Sequence, residues 1–100
     1  MIRFKKIAKK QIKKLYEAIV FKYGAPLTAK KYSEGLFVSI DGLDNDTVNY
    51  RICLDKSILR KYHFQTRRKN YKKMAIIYAN INDIIVILEV KPQSTITGLR

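Results

Sequence analysis

Between Arg60 and Lys73 the chain carries Arg60, Lys61, Arg67, Arg68, Lys69, Lys72 and Lys73 with no acid among them, and Tyr62, His63, Phe64 and Tyr71 are set between the cations. Cations beside rings suit nucleic acid, because the cations displace phosphate counterions while the rings offer faces on which bases stack. A second basic set aligns Lys9 with Lys13 and Lys10 with Lys14 at i,i+4. That like-charge spacing costs a helix a few tenths of a kcal/mol, roughly 0.2–0.5, and Glu17 relieves it only in part. It reads either as a solvated helix face or as a contact surface for a polyanion. His63 is the only histidine and Cys53 the only cysteine, so neither an intramolecular disulfide nor a Cys/His metal cluster can be built, and no metal or cofactor is expected. As a group whose charge changes near neutral pH, His63 is a candidate proton carrier or simply a loop residue. Cys53 reads as a packing residue.

These groups need elements to hold them. Ile12, Leu15, Tyr16, Ile19, Val20 and Tyr23 fall on one face of a helix spanning 8–23, with Gly24 able to end it in the left-handed conformation. Pro26 can help start a second helix, running from about Leu27 to Asp41, with Ala29, Tyr32, Leu36, Phe37 and Ile40 on its apolar face and Gly42 as its stop. Gly35 lies inside it at a cost of roughly 1 kcal/mol against Ala. After an acidic turn, Asp44-Asn45-Asp46-Thr47, the period changes to two. Val48, Tyr50, Ile52 and Leu54 alternate with Asn49, Arg51 and Cys53 as a half-buried strand. Met74, Ile76 and Tyr78 alternate with Ala75, Ile77 and Ala79, and Ile84 to Leu88 follows the turn Asn82-Asp83; together these make a hairpin whose second strand is central in the sheet. Ile2 and Phe4 allow a short first strand. The expected architecture is α+β, a single domain over 1–100 in the order β-α-α-β-β-β, with an antiparallel sheet of about four strands covered by an N-terminal helical hairpin.

With 100 residues, 47% of them hydrophobic and only 4 Gly and 2 Pro, a folded domain is expected and disorder is not. A net charge of +13 exceeds what a binder of neutral small molecules needs, so a polyanionic or acidic partner is the first expectation. No window approaches the roughly 18 consecutive apolar residues of a membrane span. The opening Met1-Ile2-Arg3-Phe4-Lys5-Lys6 lacks the apolar core of a secretory signal, and a lone cysteine fits a reducing cytoplasm.

The order of elements, the opening helix ending in Tyr23-Gly24, the segment Tyr50-Arg51-Ile52-Cys53-Leu54, the stretch from Arg67 to Tyr78 and the closing strand before Pro92-Gln93-Ser94 resemble the RelE/ParE family of bacterial toxins. The resemblance spans nearly the whole chain. It implies a type II toxin–antitoxin module in which an adjacent, usually acidic antitoxin holds a small basic toxin inactive. It also implies one of two targets. The RelE branch cleaves messenger RNA on the ribosome, metal-free, by attack of a ribose 2′-hydroxyl on the adjacent phosphate, with Lys and Arg stabilising the developing charge. The ParE branch inhibits DNA gyrase and has no nuclease site. On the RelE pattern Arg51 falls at the first catalytic lysine, with Cys53 at the second. Ala75 falls at the arginine of the third strand, with Lys73 near enough to stand in, while Gln93 takes about the place of the C-terminal arginine and the terminal tyrosine is missing. On the ParE pattern, the Arg and His ending the last strand fall on Glu89 and Pro92. The cationic and aromatic content of 60–73 favours RNA cleavage, with Arg51, Arg67, Arg68 and Lys73 as electrostatic stabilisers and His63 as proton carrier. Lys9, Lys10, Lys13, Lys14, Arg60, Lys61, Tyr62, Phe64, Lys69, Tyr71 and Lys72 would then bind nucleic acid. Gyrase inhibition and plain nucleic-acid binding are the alternatives.

Overall fold

Four strands, β1 (Ile2–Phe4), β2 (Arg67–Tyr71), β3 (Met74–Ile81) and β4 (Ile84–Pro92), form one sheet in the order β1-β4-β3-β2 in the computed structural model, which describes residues 1–24, 26–46 and 50–95. The α+β layout and the helical hairpin are as expected, and β4 is central. The pairs β2–β3 and β3–β4 are antiparallel, while β1 joins β4 in parallel through Ile2–Ile85, Arg3–Val86 and Phe4–Ile87. Between β3 and β4 the turn residues Asn82 and Asp83 both have positive φ, 51° and 65°, as a two-residue hairpin turn that matches strand twist requires.

The hairpin of α1 (Lys6–Tyr23) and α2 (Pro26–Asp41) covers one sheet face. Gly24 closes α1 in the left-handed region, φ 58°, where its N–H donates to Val20 O at 2.8 Å. Ala8, Ile12, Leu36 and Ile40 pack there on Met74, Ile76, Tyr78, Ile85, Ile87 and Val90. The apolar face of α1 is buried at its N-terminal end only: Ile12 is buried, Leu15 and Ile19 are half-buried and Tyr16 is 37% exposed, because the C-terminal half of the helix leaves the core cluster. A shift of register between Ile77–Glu89 and Tyr78–Ile87 marks a bulge at Leu88. The extra residue turns both Leu88 and Glu89 to the second face and returns Val90 to the hairpin face.

The second face has its own small layer. The short helix α4 (Lys56–Lys61), which follows the single turn α3 (Leu43–Asp46), supplies Ile58, and Tyr62 and Cys53 join it over Ala75, Ile77, Ala79 and Leu88. Asp55 caps α4, accepting from Ile58 N at 3.1 Å and from the Ser57 hydroxyl. The sequence carried a signal for this helix in Asp55 three residues before an apolar Ile58, and pattern reading missed it. Where an acidic turn was expected, Asp44 belongs to α3; Thr47 lies outside the described residues, as do Val48 and Asn49 of the expected strand.

That strand is a correction. Residues 50–54 make a single bridge, Ile52 to Arg67, with Arg68 N donating to Arg51 O at 3.0 Å and Cys53 N to Thr66 O at 2.9 Å, before Asp55 begins α4. The segment lies at the sheet edge, so Ile52 and Leu54 stay about 40% exposed, while Cys53 is buried, as expected of a packing residue. The third-from-last strand is instead the basic segment Arg67–Tyr71. Its ladder to β3 fixes it despite a composition that does not read as a strand.

Gly35 has a packing reason. A Cβ there would overlap the Tyr71 hydroxyl, and that ring is held edge-on to Tyr32 at 5.3 Å. Gly35→Ala should therefore destabilise the fold, the roughly 1 kcal/mol of helix propensity gained being outweighed by about 1–3 kcal/mol of overpacking. Adding Tyr71→Phe, which removes the nearest atom, should restore part of the loss in urea denaturation. A Gly35→Ala variant more stable than the native chain would show that the ring yields freely.

Candidate functional site

Alternation along β2 divides its cations between the two sheet faces. Arg67, Lys69 and Tyr71 pair with Tyr78, Ile76 and Met74 on the hairpin face, while Arg68 and Asn70 pair with Ile77 and Ala75 on the other. Two of the cations are fastenings. The Arg67 guanidinium donates to Tyr50 O at 2.6 Å; Lys69 Nζ donates to Ser39 O at the end of α2, also at 2.6 Å, and lies 5.1 Å from the centre of the Tyr50 ring. Arg68 and Asn70, together with Tyr50 and Arg51, line an open cleft. Arg51 is exposed in it, on the irregular edge segment and not on a regular strand.

A second depression is lined by Lys5, Ile7, Lys61, Tyr62, His63 and Phe64. Tyr62 is no open stacking platform: it is buried, its hydroxyl donates to Glu89 Oε2 at 3.1 Å, and the Lys5 and Lys61 ammonium groups lie within 6 Å of its ring centre, at 5.6 and 5.7 Å. Lys61 also pairs with Glu89 at 3.2 Å, and Gln11 reaches the other carboxylate oxygen at 3.4 Å. Phe64, tilted against Tyr62, remains exposed beside His63, as does Arg60 in the last turn of α4.

Lys72 and Lys73 form the β2–β3 turn, with Lys72 at φ 52° and its ammonium about 5 Å over the rings of Tyr32 (5.2 Å) and Tyr71 (5.6 Å). Gln93 clamps that turn, its side chain donating to Lys72 O at 2.7 Å and its backbone N–H to Lys73 O at 2.9 Å. The glutamine at the expected place of a catalytic arginine is thus a turn fastening. Lys9, Lys10, Lys13 and Lys14 are exposed along α1, and Lys9 and Lys13 border a shallow apolar groove containing Phe4, Ile12 and Phe37.

The residues named as catalytic candidates therefore do not converge. Arg51 and Arg68 share one cleft, Arg67 turns to the opposite face, His63 sits in a separate depression and Lys73 stands at the hairpin tip. Among the described residues no group of three or more His, Cys, Asp or Glu gathers to hold a metal ion, and no helix is long and apolar enough to cross a membrane. The residues that pattern reading missed are Asn70, which orients Arg68, and Glu89, whose place in an apolar strand was the available signal.

Burial, then the neighbouring Glu89 charge and the hydrogen bond to it, pushes the Tyr62 phenol up to about 12; burial does the same to Tyr78, offset by Arg67 and reinforced by Tyr50. In the unfolded chain both titrate near 10. The folded state keeps protons that the unfolded state loses, so this contribution to stability is full below pH 10 and disappears as pH rises to about 12. Urea midpoints should fall across that window, and less steeply in Tyr62→Phe. Equal slopes in the two proteins would mean that Tyr62 ionises as freely folded as unfolded.

A family model described as the ParE toxin of the type II toxin–antitoxin system parDE matches residues 2–97. Among solved structures, a chain from the chromosomal ParDE system of P. aeruginosa superposes with a TM-score of 0.73 at 13% identity, covering 91% of this chain and 92% of that one. No curated protein matches the sequence. The helical hairpin, the four-stranded sheet and a family match over nearly its whole length lead to one assignment: the chain belongs to the ParE toxin family of type II toxin–antitoxin systems.

Proposed function

We propose that the chain inhibits DNA gyrase by binding it, and that a cognate acidic antitoxin holds it inactive until released. The observation that carries this reading is the scatter of the candidate catalysts. Transesterification at a phosphate needs a proton acceptor, a proton donor and charge stabilisers within hydrogen-bond reach of the same group, about 3 Å each. Here the only histidine, the hairpin-tip lysine and the β2 arginines line different places. The match to the ParE model supports the same conclusion, and it moves the balance away from the ribosomal cleavage favoured by the basic, aromatic composition of 60–73. The solved ParDE system supports a partner antitoxin. On this reading Lys9, Lys10, Lys13 and Lys14 serve association: an exposed row of like charge raises the encounter rate with an acidic or nucleic-acid-bearing target without taking part in chemistry.

Purified chain added to gyrase should abolish supercoiling of relaxed plasmid and leave a translating extract intact. Addition of the product of the adjacent gene should reverse the inhibition. Lys9→Ala with Lys13→Ala should raise the concentration needed for half-inhibition several-fold at low salt and by less at about 0.3 M, where charges are screened beyond roughly 6 Å. Cleaved messenger RNA in the extract, with supercoiling untouched, would overturn the proposal in favour of the nuclease.

A further inference from the structure

We propose that Arg68, with Arg51 beside it, is the receptor for a carboxylate that the antitoxin presents: an Asp or Glu side chain of an acidic segment entering the cleft on the second face of the sheet. This rests on the reading of the chain as a toxin held by an acidic partner. Arg68 is only 5% exposed. Its guanidinium donates through Nε and Nη2 to a single neutral acceptor, Asn70 Oδ1, at 3.3 and 2.9 Å. No carboxylate among the described residues pairs with it. Glu89, two strands away on the same face, has its oxygens taken by Gln11, Tyr62 and Lys61, and Asp55 caps α4.

A guanidinium withdrawn from water without an anion is a standing cost to the free fold. Its neighbours show the alternative: Arg67 and Lys69 each end on a backbone carbonyl and bind one part of the chain to another. Among the described residues the Arg68 guanidinium joins only Asn70, two residues along its own strand, so the fold gains little from the charge. What the charge has is an opening, the cleft it shares with exposed Arg51. Asn70 fixes the plane of the guanidinium on one edge and leaves Nη1 for a ligand. A carboxylate suits such a planar fork, and at the end of a flexible side chain it reaches a recessed group. A phosphate held in the backbone of a nucleic acid stays at the surface, where it meets Arg51 alone.

The test uses Arg68→Met, which keeps the length and removes the charge, together with Arg51→Ala. Free Arg68→Met should melt at or above the native temperature, since an unpaired charge is gone, while its affinity for the product of the adjacent gene falls at least 10-fold. Arg51→Ala should lose less. In the native chain the Arg68 Nε–H resonance should shift on titration with an acetylated hexaglutamate peptide and not with a single-stranded hexanucleotide. Affinity within twofold of native for Arg68→Met, or a melting temperature well below native, would overturn the proposal, the second because the guanidinium would then be structural. A shift with the oligonucleotide alone would overturn it in favour of a phosphate site. Failure of the native chain to bind the adjacent gene product at all would instead sink the toxin–antitoxin reading, and the two titrations would still judge the cleft.

Discussion

A carboxylate in the middle of a central, apolar strand is the constraint around which the second half of this molecule is arranged. Glu89 is 5% exposed, and burial of its side chain is tolerable only because Gln11 of α1, the Tyr62 hydroxyl and the Lys61 ammonium all converge on it. Gln11 also accepts from Val90 N at 2.7 Å, satisfying β4 where β1 has ended. The bulge at Leu88 is what puts the carboxylate on the face of Tyr62, where Gln11 of α1 also reaches it. One residue of phase shift thus joins α1, β4 and the end of α4. The thin second layer is held by this polar node as well as by the few apolar groups it buries, among them Ile58, Cys53 and Tyr62.

The excess of positive charge is distributed by the same alternation. A run of Arg67, Arg68, Lys69 and Asn70 is uniform as a string and divided as a strand. Two of its cations reach back to carbonyls and fasten the edge segment and α2 to the sheet, while the third is left on the opposite face beside Arg51. The rings among the cations are likewise spent on structure: Tyr62 within the second core, Tyr71 edge-on to Tyr32 under Lys72. That leaves Phe64 and its neighbour His63 as the exposed rings of the 60–73 segment. A surface of lysines and arginines with few free rings is better suited to steering and holding an acidic protein than to stacking unpaired bases.

Much of the scaffold was legible because local physics alone determines it. The 3.6-residue spacing of Ile12, Leu15 and Ile19, the Gly24 stop, the Pro26 start, the Asn82-Asp83 turn and the two-faced alternation of Met74 to Ala79 all reappear as α1, α2 and the β3–β4 hairpin. So does the excess charge, which is a sum and needs no fold. Tertiary structure decided which segment completes the sheet. The alternating residues 50–54 make one bridge, and a basic run with little strand character becomes β2 because β3 offers it a partner of the right length. It decided, too, that Gln93 clamps a turn and that His63 and the β2 arginines stand apart. The division has a physical reason. Helix faces, caps and tight turns depend on neighbours a few residues away, whereas pairing at a sheet edge, the phase shift of a bulge and the convergence of side chains from distant strands depend on contacts that exist only once the whole chain has closed on itself.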